Sequence, residues 1–234
     1  MMTVLSAEEW QVVVLSLKVS AVAIAFDLPL AYGLAWLLAR GRFPGKVLLD
    51  AVVHLPLVLP PVVTGWLLLL TFGSNGPVGR FLLDSFGIGL IFRWTGAALA
   101  AAIMALPLMV RAIRLSLDGV DRRLESAART LGASPWRTFA SITFPLALPG
   151  VMAAIVLGFA RSIGEFGATI TFASNIPGET RTLPLAIYTA LQIPGSEGDV
   201  ARLAVISVLL SLAALVISET LTRRSGQGKA GHVL

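Results

Sequence analysis

A chain of 234 residues that is 56% hydrophobic and 13% charged has too few charges to cover its apolar surface in water, since soluble domains run at roughly 45–50% and 25%. The mean hydropathy of +0.84 and the absence of cysteine exclude soluble enzymes, disordered regulators, disulfide-stapled domains and thiolate metal sites. The formal net charge of +5 lies on no soluble basic stripe, so no nucleic-acid partner is expected, and the class is integral membrane protein.

A bilayer core of about 30 Å needs roughly 20 mostly apolar residues in a helix. Five stretches meet that length, approximately 12–39, 47–71, 94–117, 144–173 and 203–221. The first follows the polar opening Ser6-Ala7-Glu8-Glu9-Trp10-Gln11 and reads as a retained span, because it has neither a basic leader nor a small-residue cleavage site. It carries Lys18, near enough to its outer end to snorkel, and Asp27, which lies deeper and requires a partner. Pro56, Pro60 and Pro61 interrupt the second span and, with Thr64, mark a candidate pathway or gate. Broken backbone cannot be left to lipid, so this segment must face protein or water; a packing kink is the equally weighted alternative. His54 reads as a hydrogen-bonded interior residue.

The apolar run Phe81–Phe92 is too short to cross and reads as interfacial or re-entrant, as does Leu183–Ile193. The fourth stretch exceeds one crossing. Gly164 and Gly167 mark where its helix can end, leaving the remainder to lie near the outer surface. Arg161 and Glu165 are four apart, hence on one helix face. A structural ion pair is the preferred reading, with a cationic step for an anion as the alternative. Residues Asn175 to Thr182 form a turn-rich external loop.

Twelve Lys and Arg fall in the segments around 40–46, 111–137 and 223–229, against four (Arg80, Arg93, Arg181, Arg202) on the other side. The richer side is cytoplasmic, which puts the N-terminus outside and the C-terminus inside. Residues 1–222 form one transmembrane domain and 223–234 a flexible cytoplasmic tail.

The largest cytoplasmic feature is the loop 118–143. Asp121 is a good N-cap. Val120, Leu124, Ala127, Ala128 and Leu131 recur at helical spacing, Gly132 suits a left-handed helix end, and Ser134-Pro135 starts a second helix. A short amphipathic helix between two spans docks on protein or rests on lipid headgroups; its small middle, Ser126-Ala127-Ala128, tips the balance towards protein.

The run Glu125-x-Ala127-Ala128-x-x-x-Gly132, followed after nine residues by Ile142-x-Phe144-Pro145, resembles the EAA signature of ABC-importer permeases. It departs in placing Ser126 where many members carry the acid, and Phe144 where leucine is common. Longer strings, His54 to Val63, Pro107 to Arg114, Arg161 to Thr169 and Ser174 to Thr182, are similar to the molybdate permeases within the sulfate/molybdate/tungstate group. The resemblance implies an all-α polytopic protein of about five spans with the MetI-like permease fold. It implies that Asp121, Glu125, Ala127, Ala128 and Gly132 couple the chain to an ATPase. It also implies a homodimer in the lipid of the inner membrane, with two copies of a separate ATP-binding subunit and a periplasmic or lipoprotein oxyanion-binding protein that meets the 175–182 loop. Molybdate is the expected cargo, sulfate or tungstate the alternatives. No Walker loop, nucleophile elbow or metal-ligand spacing occurs, so no catalytic residue, metal or cofactor is expected here. A secondary transporter using Asp27 and Glu165 as an ion relay is the rival class; it ordinarily needs more spans and discontinuous repeats.

The charge asymmetry predicts a labelling pattern. Single cysteines at Ser74 and Ser196 react with an impermeant thiol reagent in intact cells, whereas those at Ser134 and Ser225 react only after permeabilisation. Labelling of Ser134→Cys in intact cells overturns this orientation.

Overall fold

The computed structural model describes residues 5–227. Helix α1, Ala7–Arg40, begins at a capping box: Ser6 Oγ accepts from the Glu9 amide at 3.1 Å, and the Ser6 amide donates to Glu9 Oε2 at 2.7 Å. Its 34 residues span about 51 Å, well beyond a hydrocarbon core. Helix α5, Trp94–Asp118, and helix α8, Phe144–Ile163, pack along it. Small residues permit this. Alanines 97, 98, 100, 101, 102 and 105 are buried on α5, and a Cβ on Gly150 of α8 would lie 2.2 Å from the Ser116 Cβ. Lipid supplies no hydrophobic drive between helices, so close backbone approach is what holds them.

Among the described residues, four helices are long and apolar enough to cross a membrane, and a bent pair makes up to five. The bent pair is α2, Lys46–Val58, and α3, Pro61–Phe72, which turn by 117° at Leu59–Pro60. This is a break, where the sequence alone suggested an interrupted but continuous span. Counted as one span, the pair is the fifth crossing. Asp50 at its start bonds Arg114, and Leu68 near its end shares a buried cluster with Ala100 and Met104, positions about 15–21 Å from Arg114 along α5. The fourth stretch divides where its glycines indicate: α8 ends at Ile163, and α9, Gly167–Phe172, follows. Helix α9 packs into the bundle, with Ala168, Thr169 and Phe172 buried.

The two short runs differ. Helix α4, Pro77–Phe86, is almost wholly exposed, with only Gly79 buried. Helix α10, Leu183–Ala190, is tied inward where the Leu183 amide donates to Ser16 Oγ at 2.7 Å. The last helix, α11, Glu197–Gln227, continues into the segment expected to be a tail; residues 228–234 lie outside the described residues.

The charges sort by end. Glu8 pairs with Arg181 and Glu9 with Arg202, each at 3.1 Å, at the start of α1. Arg40, at its far end, pairs with Glu125 at 3.0 Å. Groups assigned from sequence to one side of the membrane thus meet one another and not the opposite set.

The α5–α8 contact gives a stability test. Gly150→Val is expected to cost about 1–3 kcal/mol through overpacking and to lower the melting temperature in detergent by several degrees. Gly33→Ala, on α1 where an added Cβ meets nothing within 4 Å, should be neutral or stabilising. Equal melting temperatures would show that the two helices part freely.

Candidate functional site

Asp121 caps helix α6, Arg122–Thr130, by accepting from the Arg123 amide at 2.8 Å. The helix ends in a Schellman turn: the Ala133 amide donates to the Ala128 carbonyl and the Gly132 amide to that of Arg129, both at 3.0 Å. Gly132 takes φ +86°, a conformation that costs other residues about 1–2 kcal/mol. Ser134 then caps the single turn α7, Pro135–Thr138, with Pro135 in its first turn. These local features follow the sequence residue by residue.

The expected apolar stripe does not stay together. Val120 enters the core at 5% exposure, whereas Leu124 is 48% and Leu131 89% exposed. Leu124, Ala127 and Leu131 recur three and four apart, and all three are exposed. Glu125 and Ala128 are only partly exposed. No residue of α6 is buried, so a short helix with an apolar stripe stands on the surface and is held there by polar contacts.

Those contacts centre on Glu125. Its Oε1 accepts from the Arg40 guanidinium at 3.0 Å and from Thr143 Oγ1 at 2.7 Å. Arg40 also donates to the Leu117 carbonyl at 3.3 Å. One carboxylate therefore links α6 to the end of α1 and, through Thr143, to the start of α8. Thr143 closes a π-helical turn, Phe139–Thr143. Sequence reasoning did not find Arg40 and Thr143 as parts of this site. Arg40 read only as a topology charge, and no spacing signals a π turn, which takes in one extra residue per hydrogen-bonded ring.

The proline segment and the membrane charge pair, separate in the sequence, meet in space. Arg161 and Glu165 form an ion pair at 2.5 Å with the Glu165 side chain only 2% exposed. Glu165 Oε1 also accepts from the Ala168 amide at 2.8 Å, so it caps α9 as well as pairing. A Cβ on Gly167 would lie 2.7 Å from the Pro61 Cβ, and one on Gly65 2.7 Å from the Thr171 Cβ. Pro60 and Pro61 stand exposed at the bend, Pro56 is half-buried and Thr64 is buried. Asp27 is buried at 1% exposure, and its Oδ2 has no hydrogen-bond partner among the described residues. Lys18, expected to snorkel, lies 3.6 Å over the Trp94 ring, a cation–π contact. The 175–182 loop is internally braced: Thr180 Oγ1 accepts from the Ile176 amide at 2.8 Å, and Arg181 donates to Asn175 Oδ1 at 3.1 Å.

Comparison with known proteins gives one family match, two relatives and two solved structures. Residues 27–227 match the family described as "Binding-protein-dependent transport system inner membrane component". The chain is 61% identical over 229 residues to the molybdenum transport system permease protein ModB of Escherichia coli strain K12, covering 98% of this chain and all of the relative. It is 39% identical over 202 residues to the sulfate transport system permease protein CysT of the same strain, covering 85% and 71%. Among solved structures, a bacterial alginate ABC importer aligns with TM-score 0.73 at 17% identity, covering 94% and 80%. The MetNI methionine ABC transporter aligns with TM-score 0.66 at 16% identity, covering 93% and 94%.

The dual role of Glu165 yields a test. Glu165→Gln keeps an acceptor for α9 but leaves Arg161 alone, and is expected to cost about 3 kcal/mol. Arg161→Gln added to it should recover part of that loss in detergent unfolding. A charge-exchanged pair that folds like the wild type yet fails in uptake would instead give Arg161 a role towards the transported anion.

Proposed function

This chain belongs to the family of binding-protein-dependent transport system inner membrane components, and from that premise we propose that it is the multi-pass inner-membrane permease of an ATP-driven molybdate importer. Identity of 61% to a molybdenum permease against 39% to a sulfate permease supports molybdate over sulfate. The N-terminus faces outward and the loop 118–143 inward. Two copies of the chain surround a central path, two ATP-binding subunits dock beneath them, and an oxyanion-binding protein delivers the anion to the outer face.

The observation that carries this reading is the surface helix α6. Its Glu125 side is locked to α1 and the start of α8 at 3.0 and 2.7 Å, while Leu124, Ala127 and Leu131 are free for a partner. Such a helix transmits force: a subunit that grips the outer face moves the spans through Glu125 and through Arg122, which donates to the Ala39 carbonyl at 3.5 Å. Exposure of the break at Pro60 supports the pairing of chains. Non-helical backbone at that depth requires protein or water against it, and a second copy with a path between them provides both. ATP closes the docked subunits, the α6 helices follow, and the spans rock open to receive the anion. Specificity rests with the delivery protein, consistent with the absence of a cationic cluster across the spans.

Gly132 provides the test. An added Cβ there meets nothing within 4 Å in this chain, so Gly132→Val carries about 1–2 kcal/mol of backbone strain and its larger effect falls on a docked partner. The expected result is normal membrane abundance, loss of co-purifying ATPase or of stimulated hydrolysis, and loss of molybdate uptake. Retention of both ATPase association and uptake would overturn the docking role of α6.

A further inference from the structure

A cleft of about 820 Å³ opens between the last turns of α1 and the α6–π-turn segment. Its two walls differ in chemistry. One is cationic: Arg40, Arg122 and Arg129 face it, opposed only by Glu125. Arg129 forms no ion pair among the described residues, and the buried Nε of Arg40 has no hydrogen-bond partner among them. The other wall is aromatic. Phe139 stacks on Trp136 with centroids 5.3 Å apart, and meets Trp36 and Tyr32 edge-on at 5.4 and 6.0 Å. The Tyr32 hydroxyl is buried and equally unpartnered among the described residues. Beside it Gly33 leaves the α1 face open, since an added Cβ meets nothing within 4 Å.

The order of these groups along α1 is informative. Trp36 and Tyr32 lie four and eight residues before Arg40, about 6 and 12 Å deeper into the bilayer. The cleft therefore runs from three guanidinium groups at headgroup level to an aromatic slot at the level of the first acyl carbons. Basic pockets between helices on the cytoplasmic side suit anionic lipid headgroups, and aromatic side chains suit the interface itself.

We propose that this cleft is a binding site for one anionic phospholipid of the inner leaflet. Its phosphate sits between Arg122 and Arg129, and its glycerol and upper acyl chain lie along Tyr32, Gly33 and Trp36. A lipid held by α6 through its phosphate and by α1 through its glycerol and acyl chain ties the two helices together beside the Arg40–Glu125 pair. The inference rests on the inward orientation of this end given above. It does not rest on ATPase docking, because lipid retention is measured on the permease alone.

The test is native mass spectrometry of the purified full chain, released from nanodiscs of phosphatidylcholine with phosphatidylglycerol. Wild type should retain one phosphatidylglycerol per chain in preference to phosphatidylcholine. It should also melt several degrees higher in the mixed bilayer than in phosphatidylcholine alone. Arg122→Gln with Arg129→Gln should reduce that retention at least tenfold and abolish the melting shift. Arg123→Gln with Arg137→Gln removes the same charge from the same loop outside the cleft and should change neither. Equal loss in both double variants would show only general surface attraction and overturn the site. So would equal retention of the two lipids. A melting shift produced in pure phosphatidylcholine by millimolar inorganic phosphate would make this a soluble-anion site and overturn the lipid assignment. Should the first double variant misfold, Gly33→Leu, which fills the slot and leaves every charge in place, must still lower retention if the proposal holds.

Discussion

In a bilayer every backbone N–H and C=O must find its partner within the protein, and this chain breaks two of its membrane helices. The structure resolves the conflict by bringing the breaks together. At the first, Pro60 and Pro61 have no amide hydrogen to satisfy, and the Val63 and Thr64 amides donate back to the Pro60 carbonyl. At the second, Glu165 reaches over the start of α9 and accepts from Ala168. Gly167 then lets Pro61 approach so closely that a methyl group between them would not fit. The prolines, the buried carboxylate and the glycines are parts of one solution to one constraint.

That solution explains the placement of charge. A carboxylate buried in a span is costly unless paired, and Glu165 earns its place twice, by capping α9 and by binding Arg161. Arg161 retains some exposure, with its side chain 24% accessible, so the pair sits where one end can still be solvated. Glu125 at the opposite end follows the same logic in a wetter setting: one acid, two donors from distant parts of the chain, and a helix held in place without a core of its own.

How much of this was legible beforehand depends on the range of the interaction. The cap at Asp121, the left-handed Gly132, the Ser134-Pro135 restart and the end of α8 near Gly164 are set within four or five residues, and the sequence states them. The bend at Pro60 was visible as an interruption, but its 117° turn comes from α9 packing against α3, some hundred residues later in the chain. Arg40 with Glu125, Thr143 with Glu125, and Lys18 over Trp94 are contacts between spans, and spacing says nothing about which spans are neighbours. The apolar stripe of α6 misled for a related reason. Periodicity gives the face but not what covers it, and here Val120 turns inward, Ala128 is partly covered, and Leu124, Ala127 and Leu131 stay exposed.

The split of that stripe bears on how the permease works. A helix packed by its apolar side would be a passive part of the bundle, and any partner would meet only charge. Here the polar side binds the bundle, through Glu125, and Leu124 and Leu131 face outward. A carboxylate–guanidinium contact holds position but tolerates rotation better than interdigitated side chains do, because its geometry is set by two or three bonds rather than by close packing. The joint between α6 and α1 thus rests on a few directional polar bonds and on no buried residue of α6. A partner that met this face would meet Leu124 and Leu131 and leave the Glu125 contacts to Arg40 and Thr143 in place.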